Sequence, residues 1–467
     1  MAFLAAFVVP ALLAAPARAD TIFDAMAKAY ENNPDLNAAR AGLRATDESV
    51  TIAKAGWRPQ ISAFAQNTQT WYDNSGPAFT IKPAVSITEP AIVSDRIKTT
   101  THQRGLTITQ QIFDGFQTLN NVRAAESTVF SERASLRARE IQILLSAAEV
   151  YSNIGRDQQI VAFRKQNIAF LREQVSAAKI RLEVGDGTTT DVSLAEADLA
   201  RSQALVAAAV SQLKQSEAVY VQIVGDAPKD IRQATPVSKL LPKDIDTAVA
   251  TGWREHPSIL STMHAIDAAG FQVKSAEGAM LPGVVVQGQM LSTEGTEGVS
   301  SLSNYNTSSI TARLNVPIYQ GGAEYGQIRQ AKERLGQQRI MLDSARLEVQ
   351  QTIVSAMAQY QAAIAIIAAN EVQLKAANDA LAGVVEERTA GQATQLDVLT
   401  AQAGVLNAKE GLAVAHRDAV VASFSILASM GQLTVATQNL QVTEYKPDVH
   451  YKAVKDAWFG LRTVDGR

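Results

Sequence analysis

Apolar and polar residues recur along this chain with two distinct periods, and each period marks a type of element. Leu106, Ile108, Gln110 and Ile112 alternate with Thr107, Thr109 and Gln111. Val284, Val286, Gly288 and Met290 alternate with Val285, Gln287 and Gln289, and Ile310, Ala312, Leu314, Val316 and Ile318 with Thr311, Arg313 and Asn315. A period of two describes a strand with one apolar and one polar face. Strands are expected at 60–70, 104–113, 284–292 and 308–319. Strands of about ten residues with this pattern suit a membrane β-barrel; a half-buried soluble sheet has the same pattern. The segments between paired strands, Asp73–Arg104 and Thr293–Thr307, are rich in Ser, Thr, Asn, Gly and Pro and read as exposed loops.

The other period is helical. Residues 117–184 and 323–390 contain no Pro and almost no Gly. At 1.5 Å per residue each would make a rod of ~100 Å. Return helices are expected at 191–224 and 396–430. In the first, Val192, Leu199, Val206, Leu213 and Tyr220 are spaced by seven; in the second, Val398, Val405, Leu412, Ala419 and Ile426. A small residue sits three positions after each of them but Tyr220, such as Ala195, Ser202 and Ala209, or Ala401, Ala408 and Ala415. A sustained seven-residue repeat packs helices as supercoiled rods, and small partners let their axes approach closely. An ordinary antiparallel coiled coil meets the same description.

These elements occur twice. Pro34 and Pro59 recur as Pro257 and Pro282, 223 residues on. Phe113-Asp114-Gly115 recurs as Tyr319-Gln320-Gly321, Arg123 as Arg329, and Gly185, Thr188, Asp191 and Val192 as Gly391, Thr394, Asp397 and Val398, all 206 residues on. The chain therefore divides into a first repeat at 20–230, a linker at 231–242, a second repeat at 243–435 and a tail at 436–467. Asp20 or Thr21 can cap a short helix ending before Pro34, and a second helix runs from near Pro34 to before Pro59.

Residues 1–19 read as a signal peptide: Ala2 to Ala15 are almost wholly apolar and Ala17-Arg18-Ala19 is a small-x-small cleavage pattern. No Lys or Arg precedes the apolar run, so the charge would come from the free amino terminus or from an upstream start. Past Ala19 no apolar run is expected to be long enough to cross a bilayer as a helix. The exported chain would then enter a membrane only as strands. Four strands cannot close a barrel, and open edges cannot face lipid, so several copies must pool them with cyclic symmetry.

Composition narrows the chemistry. The 467 residues are 46% hydrophobic and 19% charged with a net charge of -3, which gives no sign of nucleic-acid binding. There is no cysteine, hence no disulfide, thiol nucleophile, Cys-ligated metal or lipid-bearing N-terminal Cys. No GxxxxGK[ST], HExxH or GxSxG motif occurs, and His102, His256, His264, His416 and His450 make no ligand pair at helical spacing. No enzyme activity, cofactor or metal is expected, so energy for transport would come from partners.

In this order, twice, these features resemble the TolC family of Gram-negative outer-membrane channels. The resemblance covers essentially all of the mature chain. It is carried by the Pro-bounded copies, the strand-to-helix turns Phe113-Asp114-Gly115 and Tyr319-Gln320-Gly321-Gly322, and the hairpin turns from Val184 to Val192 and from Ala390 to Val398. It implies a mainly α fold with a membrane β part: long antiparallel helical hairpins forming an α-barrel, and four strands per chain joining a trimeric twelve-stranded barrel. It further implies a homotrimer in outer-membrane lipid, with its tunnel in the periplasm, docked on a periplasmic adaptor (membrane fusion) protein and an inner-membrane ABC or other transporter. The tail, Tyr445 to Tyr451 with Trp458-Phe459-Gly460, resembles that of the branch serving type I protein secretion. Multidrug or metal efflux is the alternative cargo, and a periplasmic coiled-coil scaffold the alternative architecture. The family closes its periplasmic tip with polar links and acidic rings. Carried over, these fall on Thr190, Asp191 and Asp397, while the second acidic position is Thr400 and the gating Arg and Tyr positions are Ala393 and Arg388. Arg388 reaching Asp191 would be a substitute link, or Arg388 is simply solvated. Asp191 and Asp397 would also cap the return helices. Gly185, Asp186, Gly187, Gly391 and Gln392 are the turn residues expected to meet the adaptor.

Overall fold

The computed structural model describes residues 20–78, 91–297, 301–464 and 466; the signal peptide expected at 1–19 lies outside them. Helix α1 (Ile22–Asn32) starts at Thr21. Its hydroxyl accepts from the Asp24 amide at 3.2 Å, and the Asp24 carboxylate accepts from the Thr21 amide at 2.9 Å. This capping box decides between Asp20 and Thr21. Asn33 Oδ1 then accepts from the amides of Asp35 and Leu36, so Asn33-Pro34 both ends α1 and starts α2 (Pro34–Lys54). The second copy builds the same pair: Asp244 caps α5 (Ile245–Glu255), and α6 (Pro257–Gly278) follows His256.

Four strands form one antiparallel sheet in the order β1 (Gln60–Ala78), β2 (Ala91–Phe113), β3 (Gly283–Glu297), β4 (Ser301–Asn315). Two expectations need correction. The described parts of the segments read as loops, up to Ala78 and from Ala91, and on both sides of 298–300, continue the ladders. Backbone pairing needs no apolar alternation, so Ser, Thr and Asn there hid it; 79–90 and 298–300 lie outside the described residues. β4 also ends at Asn315 and not at 319, because Pro317 brings no amide donor to a ladder.

The long helices are α3 (Gln117–Glu183) and α7 (Ala323–Thr389), each followed by a return helix, α4 (Thr189–Val224) and α8 (Gln395–Ser429); α9 (Pro447–Val454) lies in the tail. Along α4 the buried row is the small one, Ala195, Ser202, Ala209 and Ser216, ending at Tyr220 and Val224. The close approach rests on those residues. Among the described residues, α7 and α8 each carry a window apolar enough to cross a membrane by length and composition alone, a test that a core helix of a soluble protein also passes. Their apolar character comes from dispersed Ala, Ile and Val rather than one continuous run. The α8 window is mostly packed inside, whereas that of α7 is only 22% buried.

Contacts gather into two compact units. One comprises 130–263 and 340–448 with the described residues up to 45. Its core holds Tyr30, Tyr151, Tyr220 and Phe424, with Met26, Leu36, Leu144, Ile154, Ile353 and Leu427. The other comprises 46–129, 264–339 and 449 onward, and contains the sheet. There the β2-to-α3 turn passes against the end of α6. Gly115 (φ +70) leaves no room for a side chain, since a Cβ would strike the Gly278 carbonyl oxygen.

Candidate functional site

The sheet presents two chemically opposite faces. Its register places Ile61 beside Ile108, Ile108 beside Gly288 and Gly288 beside Ile310; the next rows join Ala63, Leu106 and Met290, and Val286 with Ala312. This face is mainly apolar, with Gln110 and Ser308 in the same rows, and uncovered: Ile310 is 85% exposed and Leu314 64%. Toward the hairpin tips it ends in charge, where Arg104 Nη2 lies 2.7 Å from Glu294 Oε1. The alternate rows are mainly polar, with Phe64, Leu291 and Val285 among them. Gln60, Thr109, Gln287 and Thr311 form one, and Ser62, Thr107, Gln289 and Ser309 the next. An exposed apolar face of that extent suits lipid, and the polar face suits water. Both outer edges, on β1 and β4, are unpaired among the described residues. Exposed aromatic rings stand just outside the helix-side strand ends: Trp57 before β1, Phe116 after β2 and Tyr319 after β4. Girdles of this kind mark membrane interfaces.

The second candidate region is the pair of helix-hairpin turns. The two are built alike, as duplicated sequence requires. At the first, Gly185 takes φ 83, its amide donates to Leu182 O at 3.2 Å and the Asp186 amide to Arg181 O at 2.9 Å. At the second, Gly391 takes φ 77, its amide donates to Arg388 O at 3.2 Å and the Gln392 amide to Glu387 O at 2.8 Å. These are Schellman closures, which need a residue free to adopt the left-handed conformation. Gly187 comes next in the first turn, half-buried over Arg181.

Each return helix then starts in a capping box. Thr188 Oγ1 accepts from the Asp191 amide at 3.1 Å and donates to Asp191 Oδ2 at 2.9 Å. Thr394 does the same with Asp397 at 3.2 and 2.6 Å. The Thr394 hydroxyl, and then its amide, hold the Asp397 carboxyl below the usual carboxylate range. That direction opposes the mutual repulsion expected of an acidic ring. Thr190 is exposed in the first turn of α4. Arg388 Nη1 lies 3.4 Å from the carbonyl of Ala393 in its own turn, and no Arg388–Asp191 pair forms among the described residues.

Sequence reasoning missed the polar ties that hold α3 between α4 and α8. Arg164 grips Glu410 with two bonds, 2.6 and 2.9 Å, while its Nη1 donates to Leu205 O at 3.0 Å. Gln402 donates to Asn167 at 2.8 Å, and Asn167 donates to Ser202 at 3.1 Å. Gln395 donates to Gln174 at 3.2 Å. Partners up to 246 positions apart leave no local signal; only the unusual polar residue on an otherwise apolar helix seam, such as buried Asn167, could have pointed to them.

Comparison with known proteins fits this geometry. The family profile described as "Outer membrane efflux protein" matches residues 25–226 and 254–442. The chain is 43% identical over 454 residues to the outer membrane efflux protein BepC of Brucella suis, covering 97% of this chain and 94% of that protein. It is 24% identical over 415 residues to the alkaline protease secretion protein AprF of Pseudomonas aeruginosa, covering 86% and 82%. Among solved structures, the channel CusC superposes with a TM-score of 0.74 at 16% identity, over 88% of this chain and 91% of that one.

Proposed function

The chain belongs to the outer membrane efflux protein family of TolC-type outer-membrane channels, and from that membership we propose that three copies close one passive export duct. In this reading the four strands of each copy complete a twelve-stranded barrel in the outer membrane, and their long helices line a twelve-helix tunnel in the periplasm. The observation that carries it is the open sheet. An exposed apolar face with unpaired edges on β1 and β4 can enter lipid only if other copies pair those edges. Apolar residues left outward on α7, Ile340, Leu347 and Val372, and on α4, Leu205 and Val219, supply matching flanks for a neighbouring copy.

The hairpin turns at Gly185, Asp186 and Gly187 and at Gly391 and Gln392 would receive a periplasmic adaptor, which couples the duct to an inner-membrane transporter. Thr190, Asp191, Asp397 and Arg388 would line the constriction. Because Arg388 stays on its own turn in a single chain, its link to Asp191 would form between copies; an exposed pair of ~0.2–1 kcal/mol suits a latch that must open. Arg388→Ala is then expected to raise resting conductance and antibiotic leakage.

Small-molecule efflux is the cargo class favoured by the 43% identity to a protein named for efflux. Type I protein secretion is the second reading, supported by the likeness to a protein named for protease secretion and by the tail. Purified protein should run in detergent as three chains and conduct ions across a planar bilayer; a monomer that passes none overturns the duct. Deleting the gene separates the cargoes: drug sensitivity with an intact secreted proteome supports efflux, and loss of a secreted protein alone supports secretion.

A further inference from the structure

The segment around and after α9 runs along α2 in rising order. His450 Nδ1 lies 2.9 Å from the Asp47 carboxylate, and the Thr51 hydroxyl donates to Val454 O at 2.7 Å. Lys54 Nζ meets Asp456 at 2.6 Å, and Arg58 Nη1 donates to Ala457 O at 2.6 Å. Partners advance from 47 to 58 on one side and from 450 to 457 on the other, so the two stretches are parallel. The tail thereby arrives at Arg58, two residues before the first residue of β1. There the Arg58 guanidinium covers the Trp458 ring at 4.9 Å from its centroid.

Beyond Trp458 the tail has an unusual surface. Phe459 is 93% exposed and Leu461 is fully exposed. Arg462 lies among them, also exposed, and neither Asp nor Glu occurs from 457 to 464. A Trp-Phe-Gly-Leu-Arg stretch combines rings and aliphatic carbons with positive charge, the composition that settles at a lipid headgroup boundary. Position agrees with composition, because Trp57, in the girdle at the strand ends, directly precedes Arg58. A second oddity lies in the same girdle. Phe116 holds φ 65, where its duplicate in the second repeat is Gly322 at φ 82. Glycine accepts that conformation freely and other residues resist it, so an exposed aromatic ring is kept there against backbone preference.

The geometry points to residues 457–464 as an interfacial anchor. Trp458, Phe459 and Leu461 enter the boundary of the leaflet that meets the helix-side ends of the strands, while Arg58 and Arg462 face its phosphates. The tail extends the aromatic girdle beyond the strands and ties α2 to the bilayer. This rests on the reading that the apolar sheet face meets lipid.

The chain has four Trp residues, so Trp57→Phe, Trp71→Phe and Trp253→Phe together leave Trp458 as the only indole. The full-length oligomer carrying these changes is reconstituted into phosphatidylethanolamine–phosphatidylglycerol vesicles with brominated acyl chains. Blue-shifted emission, quenched by bromine near the headgroup end and protected from aqueous iodide, is the expected result. Water-like emission quenched by iodide overturns the anchor. Emission shielded from both quenchers also overturns it, because a neighbouring copy then covers the segment. A companion protein with Trp458→Phe as well and Ile310→Trp reports on the sheet face itself. If its indole is quenched by mid-chain bromine while that of Trp458 is quenched by bromine at no depth, the anchor alone is wrong. If neither is quenched, the membrane reading of the sheet fails and takes the anchor with it.

Discussion

Two buried tyrosines show how much a single hydroxyl depends on its surroundings. The Tyr151 hydroxyl donates toward Asp20 O at 2.7 Å and Arg232 O at 2.8 Å, and accepts from the Arg232 amide at 3.0 Å. Burial pushes its pKa up to about 12, so it stays a donor throughout the physiological range. The Tyr220 hydroxyl is equally enclosed but has no hydrogen-bond partner among the described residues. Its duplicate is Ile426, which asks for none. Tyr220→Phe should therefore raise stability by about 1 kcal/mol, and Tyr151→Phe should lower it by about 2 kcal/mol, because three backbone groups lose their partner. Thermal unfolding of the two variants beside the parent measures both signs. His256 provides the pH test. Burial holds its imidazole below the ordinary value of 6.5, with Glu348 partly opposing. The unfolded chain then binds a proton more readily than the folded one, so stability is complete above pH 6.5 and falls as pH drops below it. In His256→Asn, which installs the residue found at the duplicate position Asn33, the urea midpoint should lose that part of its decline between pH 7.5 and 5.5. None of these partnerships was legible in the sequence, where Tyr151 and Arg232 are merely distant letters.

At the scale of elements the sequence was far more informative, and the reason is that helices and turns are specified locally. Pro34, Pro257 and the capping Thr residues mark helix starts, and Gly185 and Gly391 mark hairpin turns. The long Pro-free stretches could only be helix. Strand ends were less legible, because ladder hydrogen bonds continue through Ser and Thr without any apolar pattern. The β2-to-α3 turn illustrates both sides. Phe113-Asp114-Gly115 was visible as a repeated motif, but the reason for its glycine lies in α6, where a Cβ on Gly115 would strike Gly278 O. Gly115→Ala, strained at φ +70 and without space, should cost about 3 kcal/mol or more, or prevent assembly. Gly270→Ala, inside α6 with nothing within 4 Å of the added carbon, should instead gain about 0.5–1 kcal/mol. Folding yield of trimer on a native gel reads the first, and thermal melting the second.

For the whole molecule, the decisive fact is an incompleteness, already legible in the number of strands the sequence specifies. Four strands with an apolar face must meet others, and the structure adds which faces and edges are involved. The candidate gate was only partly legible: the capping roles of Asp191 and Asp397 are local, but in the proposed trimer what Arg388 and Asp397 meet would depend on neighbouring copies. The sheet offers the sharpest test of the assembled state, since adjacent residues on β4 face opposite media. Ile310 lies in the apolar row with Ile61 and Ile108, whereas Thr311 lies in the polar row with Gln287 and Thr109. In Ile310→Arg a guanidinium must enter hydrocarbon, at a cost of about 2–4 kcal/mol per chain near the bilayer midplane, and symmetry repeats that cost in every copy. Insertion into vesicles should fall and the remaining channels should keep their ion preference. In Thr311→Arg the same charge stands in the water-filled lumen. Insertion should stay at the parent level, while reversal potentials in a salt gradient shift toward anions. One position of sequence separates the two outcomes, so equal behaviour of both variants would mean that the two faces of this sheet do not divide lipid from water.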